Sequence, residues 1–288
     1  MNVVAPRTLL LAAAALVGFA GNSLLCRAAI GAGEIDPTSF TAWRFCSGAV
    51  VLLLLVRPRR AVFATGLGPA LTLIAYAVTF SFAYLRLTTG TGALLLFGGA
   101  QVTMIGWGLV RGERPRVAEW IGIALATAGL VALVSPGLRA PDLVGAALMI
   151  ASGFAWGVYS LLGRGAQRPI EITARNFILT GPVFALMLLV ITGRHASLRG
   201  ITLAVISGTV TSALAYSAWY AALPSLTATQ GSIAQLVVPI LAALGGVLVL
   251  GEEVTLRLVG SGLVVLLGLA LALPRPRPQA GRPRSGKD

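Results

Sequence analysis

Long apolar stretches separated by short polar connections make up most of the chain. Each stretch is close to the roughly 20 residues that cross a bilayer as an α-helix. The connections contain Pro, Gly and Arg and leave no room for a soluble domain. The pattern predicts an all-α polytopic membrane protein with ten transmembrane helices. Their predicted bounds are Thr8–Ala29, Thr38–Val56, Gly66–Leu85, Gly90–Val110, Val117–Val134, Leu143–Leu162, Ile172–Thr192, Leu198–Ala222, Ala228–Leu250 and Leu256–Leu273.

The composition supports this class. Apolar residues form 57% of the chain and charged residues 11%, and the mean hydropathy is +0.88, far from the balance of a soluble domain. The net charge of +13 would suggest a nucleic-acid partner in a soluble protein. Here the basic residues lie between apolar stretches and in a Pro- and Arg-rich tail, residues 274–288. We therefore expect the lipid bilayer and no nucleic acid as the partner, and a disordered basic cytoplasmic tail.

The distribution of Lys and Arg predicts the orientation of the helices. Fourteen of these residues lie in the termini and connections on the N-terminal side of the membrane, and six lie on the opposite side. Because cytoplasmic segments carry the excess of Lys and Arg, both termini are expected in the cytoplasm. The expected location is the inner membrane of a bacterium, where the protein is expected to function as a monomer.

The sequence contains an internal duplication, which is the first feature to test for in any chain. Gly18–Arg27 and Gly153–Arg164 both begin with Gly-Phe-Ala and end in Ser-Leu-Leu-x-Arg, and these ends are 137 positions apart. The predicted units are residues 1–138 and 139–273, with five spans each. Because five is an odd number, the second unit enters the membrane in the opposite sense to the first. Such inverted repeats are typical of transporters with a substrate site near the midplane.

Polar and aromatic residues inside the spans are the candidate substrate-binding groups. Asn22 and Tyr159 occupy equivalent positions of the two units, and Trp156 lies one helical turn from Tyr159. Such residues would line a cavity with aromatic walls and a few hydroxyl and amide groups. This lining suits an uncharged or zwitterionic organic solute with an apolar ring. The candidates are Asn22, Tyr76, Phe80, Phe97, Gln101, Trp156, Tyr159, Tyr216, Trp219 and Gln235.

Structural roles are an alternative for several residues of this kind. Asn22 and Gln101 would also serve as hydrogen-bonding groups between helices. Gly153 and Gly157, four positions apart, are expected to form a close helix contact. Tyr84, near the end of the third span, is expected to anchor the protein at a membrane interface.

Arg44 and Arg175 each lie a few residues inside the second helix of a unit. A charge inside a membrane is costly and marks a functional candidate, although Arg near a helix end can extend to the interface instead. We expect extension to the interface, with binding of a substrate carboxylate or closing of a gate as the alternative. None of the nine acidic residues lies centrally in a span. Their positions argue against a proton or sodium relay through a buried carboxylate.

The sequence does not indicate an enzyme. It has no His-Glu-x-x-His motif, no paired carboxylates and no Gly-rich phosphate loop after a strand. Its one histidine, His195, lies in a connection. Cys26 and Cys46 are expected to be small apolar residues that fill helix contacts. We expect no metal and no cofactor.

Four features of the sequence occur together: the duplicated unit, Asn22, the run Ala42–Phe45, and the Gly-Glu pairs Gly112-Glu113 and Gly251-Glu252. By these features the sequence resembles the EamA-type branch of the drug/metabolite transporter superfamily across all ten spans. The proline usual in the fourth helix of that family's unit corresponds to Pro239 in the second unit, and Gln101 takes its place in the first.

Within the superfamily the chain is most similar to the aromatic amino-acid exporters, whose aromatic positions match Tyr76, Trp156, Tyr159, Tyr216 and Trp219. Their tryptophan in the fourth helix is absent here. The resemblance implies a ten-helix carrier with both ends in the cytoplasm. We expect it to export aromatic and other neutral amino acids by alternating access around a central cavity. The alternatives are broad efflux of drugs or another metabolite and, from a different class, a non-transporting membrane scaffold.

Overall fold

The structure is a computed structural model that describes residues 5–57, 63, 66–111, 117–135, 140–163, 168–190, 195–222, 225 and 234–272. Among these residues β-pairing is limited to an isolated bridge between Ile35 and Ala196. The all-α prediction is therefore confirmed. The helices are α1 (Pro6–Ile30), α2 (Pro37–Leu55), α3 (Gly68–Ala83), α4 (Thr89–Val110), α5 (Val117–Val134), α6 (Leu143–Gly163), α7 (Pro169–Val190), α8 (Leu198–Ala222), α9 (Val237–Leu250) and α10 (Leu256–Ala272).

The helices have the length and surface of a membrane protein. Within the described residues, five helices, α1, α2, α6, α7 and α8, are long and apolar enough to cross a bilayer, and α3, α5, α9 and α10 contain shorter apolar helices. Large apolar side chains point outward: Leu54 is 82% exposed, Leu248 81% and Leu256 92%. Apolar surface of this extent is unfavourable in water and suits contact with lipid.

Polar residues in the connections start several helices. Asp36 accepts a hydrogen bond from the backbone N–H of Ser39 at 2.9 Å, and Pro37 follows at the first helical position of α2, where no N–H is needed. Asp142 and Ser197 accept from backbone N–H groups three residues further along, at 2.7 and 3.0 Å, and cap α6 and α8 in the same way. These caps fix where the membrane helices begin.

Two helices differ from the regular α-helix expected from the sequence. The middle of α8, Thr209–Leu214, is π-helical. α9 begins after a turn at Leu236, with Pro239 in its first turn, where the missing N–H breaks no helical bond. The predicted start of this span at Ala228 lies outside the described residues. In the first unit α4 continues through Gln101, because Gln keeps the backbone N–H that Pro lacks.

Helix packing relates the two halves of the chain. α1 packs on α8 and α9, which together we call the α1 group, and α6 packs in the corresponding way on α3 and α4, which we call the α6 group. Other extensive contacts join helices five places apart: α2 with α7, α4 with α9, and α5 with α10. α2 also packs extensively on α8, and the corresponding contact of α7 with α3 is smaller. If each helix is replaced by the helix five places away in the chain, for example α1 by α6 and α8 by α3, the same pairs of helices are in contact.

Polar contacts between connections define the two ends of the bundle. At one end, Arg27 in the last turn of α1 donates to the backbone oxygen of Tyr84, which follows α3. At the same end, a backbone bridge joins the connection before α2 to the connection before α8. An ion pair joins the connection before α4 to the connection before α6. At the other end, Arg175 near the start of α7 donates to the backbone oxygen of Gly66, before α3. We call these the α1–α2 end and the α2–α3 end. α1 and α3 therefore end at the α1–α2 end, where α6 and α8 begin, so α1 runs opposite to α6 and α3 runs opposite to α8.

Glycines bring α6 into direct backbone contact with α4. A Cβ atom added to Gly153 would lie much closer than 3.0 Å to the backbone oxygen of Leu96, and one added to Gly157 would lie 2.9 Å from that of Ala100. The predicted close helix contact is confirmed, because only glycine lets the two backbones approach this far. The contact holds Trp156, which lies between the two glycines, beside α4.

Candidate functional site

A small cavity lies between α1, α3, α4, α6 and α8. The space open to the centre of a water molecule is about 10 Å³, which is room for about one water. Any larger solute requires the walls to move apart. The lining residues are Phe19, Asn22, Ser23, Tyr76, Phe80, Leu96, Phe97, Trp156 and Tyr216.

Aromatic rings from both helix groups pack against one another around this cavity. Phe19 of α1 meets Trp156 and Tyr216 nearly at right angles, with ring centroids 5.9 and 5.8 Å apart. Trp156 also lies 5.1 Å from Tyr76 and 5.2 Å from Tyr216. Each such pair contributes about 0.5–1.5 kcal/mol beyond the burial of its surface. Phe19 and Tyr216 belong to the α1 group and Tyr76 and Trp156 to the α6 group, so separation of the groups would open the cavity.

Arg44 of α2 is fully buried behind the cavity wall, with 0% of its surface exposed. Its Nε donates to the Ser212 hydroxyl at 2.9 Å, and its Nη2 donates to the hydroxyls of Tyr76 at 3.3 Å and Tyr216 at 3.4 Å. The guanidinium carbon lies 5.3 Å from the ring centroid of Phe80, within the range of a cation–π contact. The prediction that Arg44 extends to the interface is wrong, because α3 and α8 close over it.

Asn22 joins three helices at the cavity. Its Nδ2 donates to the hydroxyl of Tyr76 at 3.4 Å, and its Oδ1 accepts a hydrogen bond from Ser207 at 2.8 Å. Ser152 of α6 donates to the backbone oxygen of Tyr76 at 3.0 Å and fixes this part of α3 from the other side. Asn22 therefore lines the cavity, and the hydrogen bonds that were expected of it between helices are present.

Arg175 lies away from the cavity. It has 0% exposed surface, and it donates to Asn176 Oδ1 at 3.0 Å and to the backbone oxygen of Gly66 at 3.0 Å, at the α2–α3 end. Asn176 donates to the hydroxyl of Tyr159 at 3.5 Å. Arg175 therefore belongs to the end of the bundle rather than to the aromatic cluster.

The counterpart of Arg44 in the second unit is Asn176 rather than Arg175. Residues 41–45 read Thr-Ala-Trp-Arg-Phe and residues 173–177 read Thr-Ala-Arg-Asn-Phe, which places Arg44 opposite Asn176. The two phenylalanines at the ends of these runs, Phe45 and Phe177, stack with centroids 4.9 Å apart. The second unit thus has a neutral amide where the first has a cation.

A polar cluster joins the two helix groups at the α1–α2 end. Both carboxylate oxygens of Glu252, after α9, accept from the backbone N–H of Thr89, the first residue of α4, at 2.8 and 3.0 Å. A carboxylate is favourable there, because a helix N-terminus carries partial positive charge. Glu252 also pairs with Arg27 Nε at 3.3 Å, and Arg27 donates to the backbone oxygen of Tyr84 at 2.9 Å. We call these four residues the Glu252 cluster.

Tyr84 differs from its expected position. It is 0% exposed, and its hydroxyl donates to the backbone oxygen of Thr89 at 3.4 Å. The prediction of an interface anchor is wrong, because Arg27 and the start of α4 cover Tyr84 at the end of α3. Distance from the end of a span does not show whether a neighbouring helix covers the residue.

Comparison with known proteins identifies the family. Residues 143–273 match the model of the EamA-like transporter family. The chain is 49% identical to an uncharacterized protein of Pseudomonas aeruginosa over 96% of this chain and 98% of that protein. It is 31% identical to the threonine/homoserine exporter RhtA of Salmonella typhimurium over 77% of this chain and 76% of that protein. The chain belongs to the EamA-like transporter family.

The fold agrees with a known structure. This EamA-like transporter superposes on a solved crystal structure with a TM-score of 0.62 at 21% sequence identity, over 90% of this chain and 96% of the other. Family membership makes the chain a multi-pass membrane transporter of small molecules rather than an enzyme. The predicted class of protein is confirmed.

In this EamA-like transporter, six of the ten predicted substrate-binding residues line the cavity. Tyr159, one of the remaining four, packs behind the wall with its ring centroid 5.6 Å from that of Trp156. The six are Asn22, Tyr76, Phe80, Phe97, Trp156 and Tyr216. The other four, all buried outside the lining, are Gln101, Tyr159, Trp219 and Gln235.

Three lining residues of this EamA-like transporter were not predicted: Phe19, Ser23 and Leu96. Phe19 lies 137 positions before Trp156, the separation that also relates Asn22 to Tyr159, so aligning the units at Asn22 would have found it. The Gly-Phe-Ala match instead pairs Phe19 with Phe154, which is 45% exposed. Ser23 and Leu96 carry no distinguishing signal, because small polar and aliphatic residues occur throughout the spans.

Proposed function

We propose that this EamA-like transporter exports aromatic and other neutral amino acids across the inner membrane of a bacterium by alternating access. The observation that carries the proposal is the small ring-lined cavity at the place where the α1 group meets the α6 group. Amino acids as the substrate class are supported by the relative that exports threonine and homoserine. The aromatic preference is supported by the rings of the lining, which offer an apolar side chain several faces for stacking.

We propose a ten-helix topology in which residues 1–138 and 139–273 are inverted repeats and both termini, with the tail from residue 274, are cytoplasmic. The exchange pattern of helix contacts and the opposite run of counterpart helices support the repeats. Because counterpart helices pack on each other, the repeats interleave, and the moving units would be the α1 and α6 groups rather than the two sequence halves. One chain contains both groups, so a monomer would suffice. The α1–α2 end would then face the periplasm.

The contacts at both ends suggest how the cycle would proceed. The Glu252 cluster closes the periplasmic end between the two groups. At the cytoplasmic end α6 and α8 approach closely, since a Cβ atom on Gly163 would lie 2.9 Å from the hydroxyl of Tyr220. Opening the second contact would admit a solute from the cytoplasm. Opening the Glu252 cluster would then release it to the periplasm.

The lining residues divide into apolar and polar roles in this proposal. Trp156, Tyr76 and Tyr216 would hold the side chain of the solute, with Phe80, Phe97, Tyr159 and Trp219 supporting them. The polar groups would meet the amino and carboxylate groups of the solute. Gln235 would face the pathway as the cavity opens, and Arg175 would close the cytoplasmic gate. The polar groups that would contact solute are Asn22, Gln101 and Arg44.

Counterflow of radiolabelled phenylalanine into proteoliposomes tests this function. We expect Trp156→Ala to lower the rate about tenfold, because it removes the ring that contacts Phe19, Tyr76 and Tyr216. The matched control is Trp120→Ala, which truncates a tryptophan of α5 that is 51% exposed and is expected to leave the rate unchanged.

Three results would count against the proposal in different ways. An unchanged rate in Trp156→Ala would contradict the site. Wild-type counterflow of threonine without phenylalanine would contradict the aromatic preference and retain amino-acid export. Equal counterflow of unrelated lipophilic drugs would favour a broad efflux carrier.

A further inference from the structure

We propose that the solute best matched to this cavity is an aromatic monocarboxylate without an α-ammonium group, ahead of the zwitterionic amino acid that carries the same ring. This inference rests on the proposed function, because it concerns the same cavity. It follows from the balance of charge and the balance of hydrogen-bond donors and acceptors around the aromatic lining.

The balance of charge favours an anion. Among the residues that the structure describes, Arg44, fully buried behind the wall, donates hydrogen bonds to the neutral groups of Ser212, Tyr76 and Tyr216 and to no acidic group. The described residues that line the cavity include no acid. All nine acids of the sequence lie in connections, in the tail or near helix ends: Glu34, Asp36, Glu113, Glu119, Asp142, Glu171, Glu252, Glu253 and Asp288. A buried charge without a partner is unfavourable, and a ligand with one negative charge would neutralise it.

The hydrogen-bonding groups favour a ligand that only accepts. In the part of the chain that the structure describes, Arg44 Nη1, Gln101 Nε2 and Trp156 Nε1 are buried and have no hydrogen-bond partner. All three atoms are donors. Trp156 lines the cavity, Gln101 lies one helical turn beyond Phe97 of the lining, and Arg44 lies behind the tyrosines. A carboxylate is an acceptor with two oxygens, so it complements this set of donors.

An α-ammonium group finds less favourable partners in the same place. The ammonium group is attached to the carbon next to the carboxylate. If the carboxylate lay near Arg44, the ammonium group would therefore lie near the guanidinium group, and two positive charges would come together in a region shielded from water. Unpaired donors cannot accept its hydrogen bonds, and Asn22 Oδ1 already accepts from Ser207 at 2.8 Å. The groups left to interact with the ammonium group would be the faces of the aromatic rings and the hydroxyl oxygens of the tyrosines. Like charges placed together at an interface weaken binding strongly.

Three ligands with the same ring separate these contributions. 3-Phenylpropionate carries the carboxylate alone, phenylalanine carries both charged groups, and phenethylamine carries the ammonium group alone. Isothermal titration of the purified full chain in detergent at pH 7 measures each directly. We expect 3-phenylpropionate to bind at least about tenfold more tightly than phenylalanine, and phenethylamine to show no binding. Equal or tighter binding of phenylalanine, or measurable binding of phenethylamine, would overturn the inference.

A variant of Arg44 tests the origin of the preference. Arg44→Gln keeps a hydrogen-bonding side chain but removes the charge, so we expect 3-phenylpropionate to lose at least about tenfold in affinity while phenylalanine loses less. Arg86→Gln removes a half-exposed cation near the end of the bundle and is expected to change neither affinity. An unchanged preference for 3-phenylpropionate in Arg44→Gln would contradict the role of the buried charge.

The outcomes also distinguish this inference from the function on which it rests. Phenylalanine binding and counterflow without 3-phenylpropionate binding would overturn the inference and leave the proposed export intact. Failure of all three ligands to bind, with no phenylalanine counterflow, would overturn both. The wild-type comparison requires no folded variant, so it decides the question even if Arg44→Gln does not fold.

Discussion

Replacing Gly208 of α8 by valine is expected to lower the free energy of unfolding by about 3 kcal/mol or more, which in a marginally stable chain prevents folding. A Cβ atom on Gly208 would lie much closer than 3.0 Å to the backbone oxygen of Arg44 and to the hydroxyl of Ser47. The obstacle on α2 is backbone, which cannot rotate away as a flexible side chain can. The change would separate α8 from α2 at the level of Arg44 and disturb its bond to Ser212.

The same substitution at Gly106 is the control. Gly106 also lies inside a helix, α4, but a Cβ atom added there meets nothing within 4 Å. We expect Gly106→Val to change the stability by less than about 0.5 kcal/mol. Unfolding by sodium dodecyl sulfate, followed by circular dichroism, compares the two variants. Equal unfolding midpoints for Gly208→Val and Gly106→Val would show that α2 and α8 do not approach as closely as described.

Replacing Glu252 by alanine is expected to shift the transporter towards a conformation open at the α1–α2 end. The carboxylate follows α9 of the α1 group, where Arg27 of α1 holds it, and it accepts both hydrogen bonds from Thr89 of the α6 group, so its loss removes a contact between the two groups. The Glu252 side chain is 12% exposed and that of Arg27 is 26% exposed, so water screens the pair only in part. Loss of these charge-assisted bonds costs the closed state about 2 kcal/mol, equivalent to roughly a thirtyfold shift in population.

Labelling of a cysteine in the cavity measures this shift. Leu96→Cys, in a chain with Cys26→Ser and Cys46→Ser, would place a thiol in the lining where an impermeant reagent reaches it only when the α1–α2 end opens. We expect Glu252→Ala to raise the labelling rate about thirtyfold. Arg199→Gln removes a 73% exposed partner of Glu34 at the same end of the bundle, and we expect no change in the rate. An equal labelling rate in both variants would exclude the Glu252 cluster as a gate.

Most helices could be predicted from the sequence because each is a separate apolar segment of spanning length. Val117–Val134 and Leu198–Ala222 have the predicted bounds, and most of the others differ by a few residues. The predicted start of the ninth span, Ala228, lies outside the described residues, and within them a turn at Leu236 precedes α9. An apolar run does not show where a helix is interrupted, and the turn at Leu236 precedes a proline that fits the first helical turn.

The candidate site could be predicted only in part. The deep aromatic residues, such as Trp156 and Tyr216, stand out because large rings and hydroxyl groups are conspicuous inside an apolar helix. Arg44 and Arg175 look equivalent in sequence, since each lies shortly after the start of its helix. Their surroundings differ because Arg44 faces Tyr76 and Ser212, whereas Arg175 reaches a backbone oxygen before α3. Distance along a helix does not show which neighbours cover a side chain.

The amino-acid sequence by itself determined the membrane class, the bounds of most helices and the similarity between two parts of the chain, because these depend on local hydropathy and on the order of residues. Only the tertiary structure decided that α2 packs on α7, α4 on α9 and α5 on α10, that Phe19 faces the cavity and that Arg44 is buried with Ser212, Tyr76 and Tyr216 as its hydrogen-bond partners. These features arise from contacts between helices far apart in sequence. Such contacts depend on the rotation and depth of each helix, which packing determines.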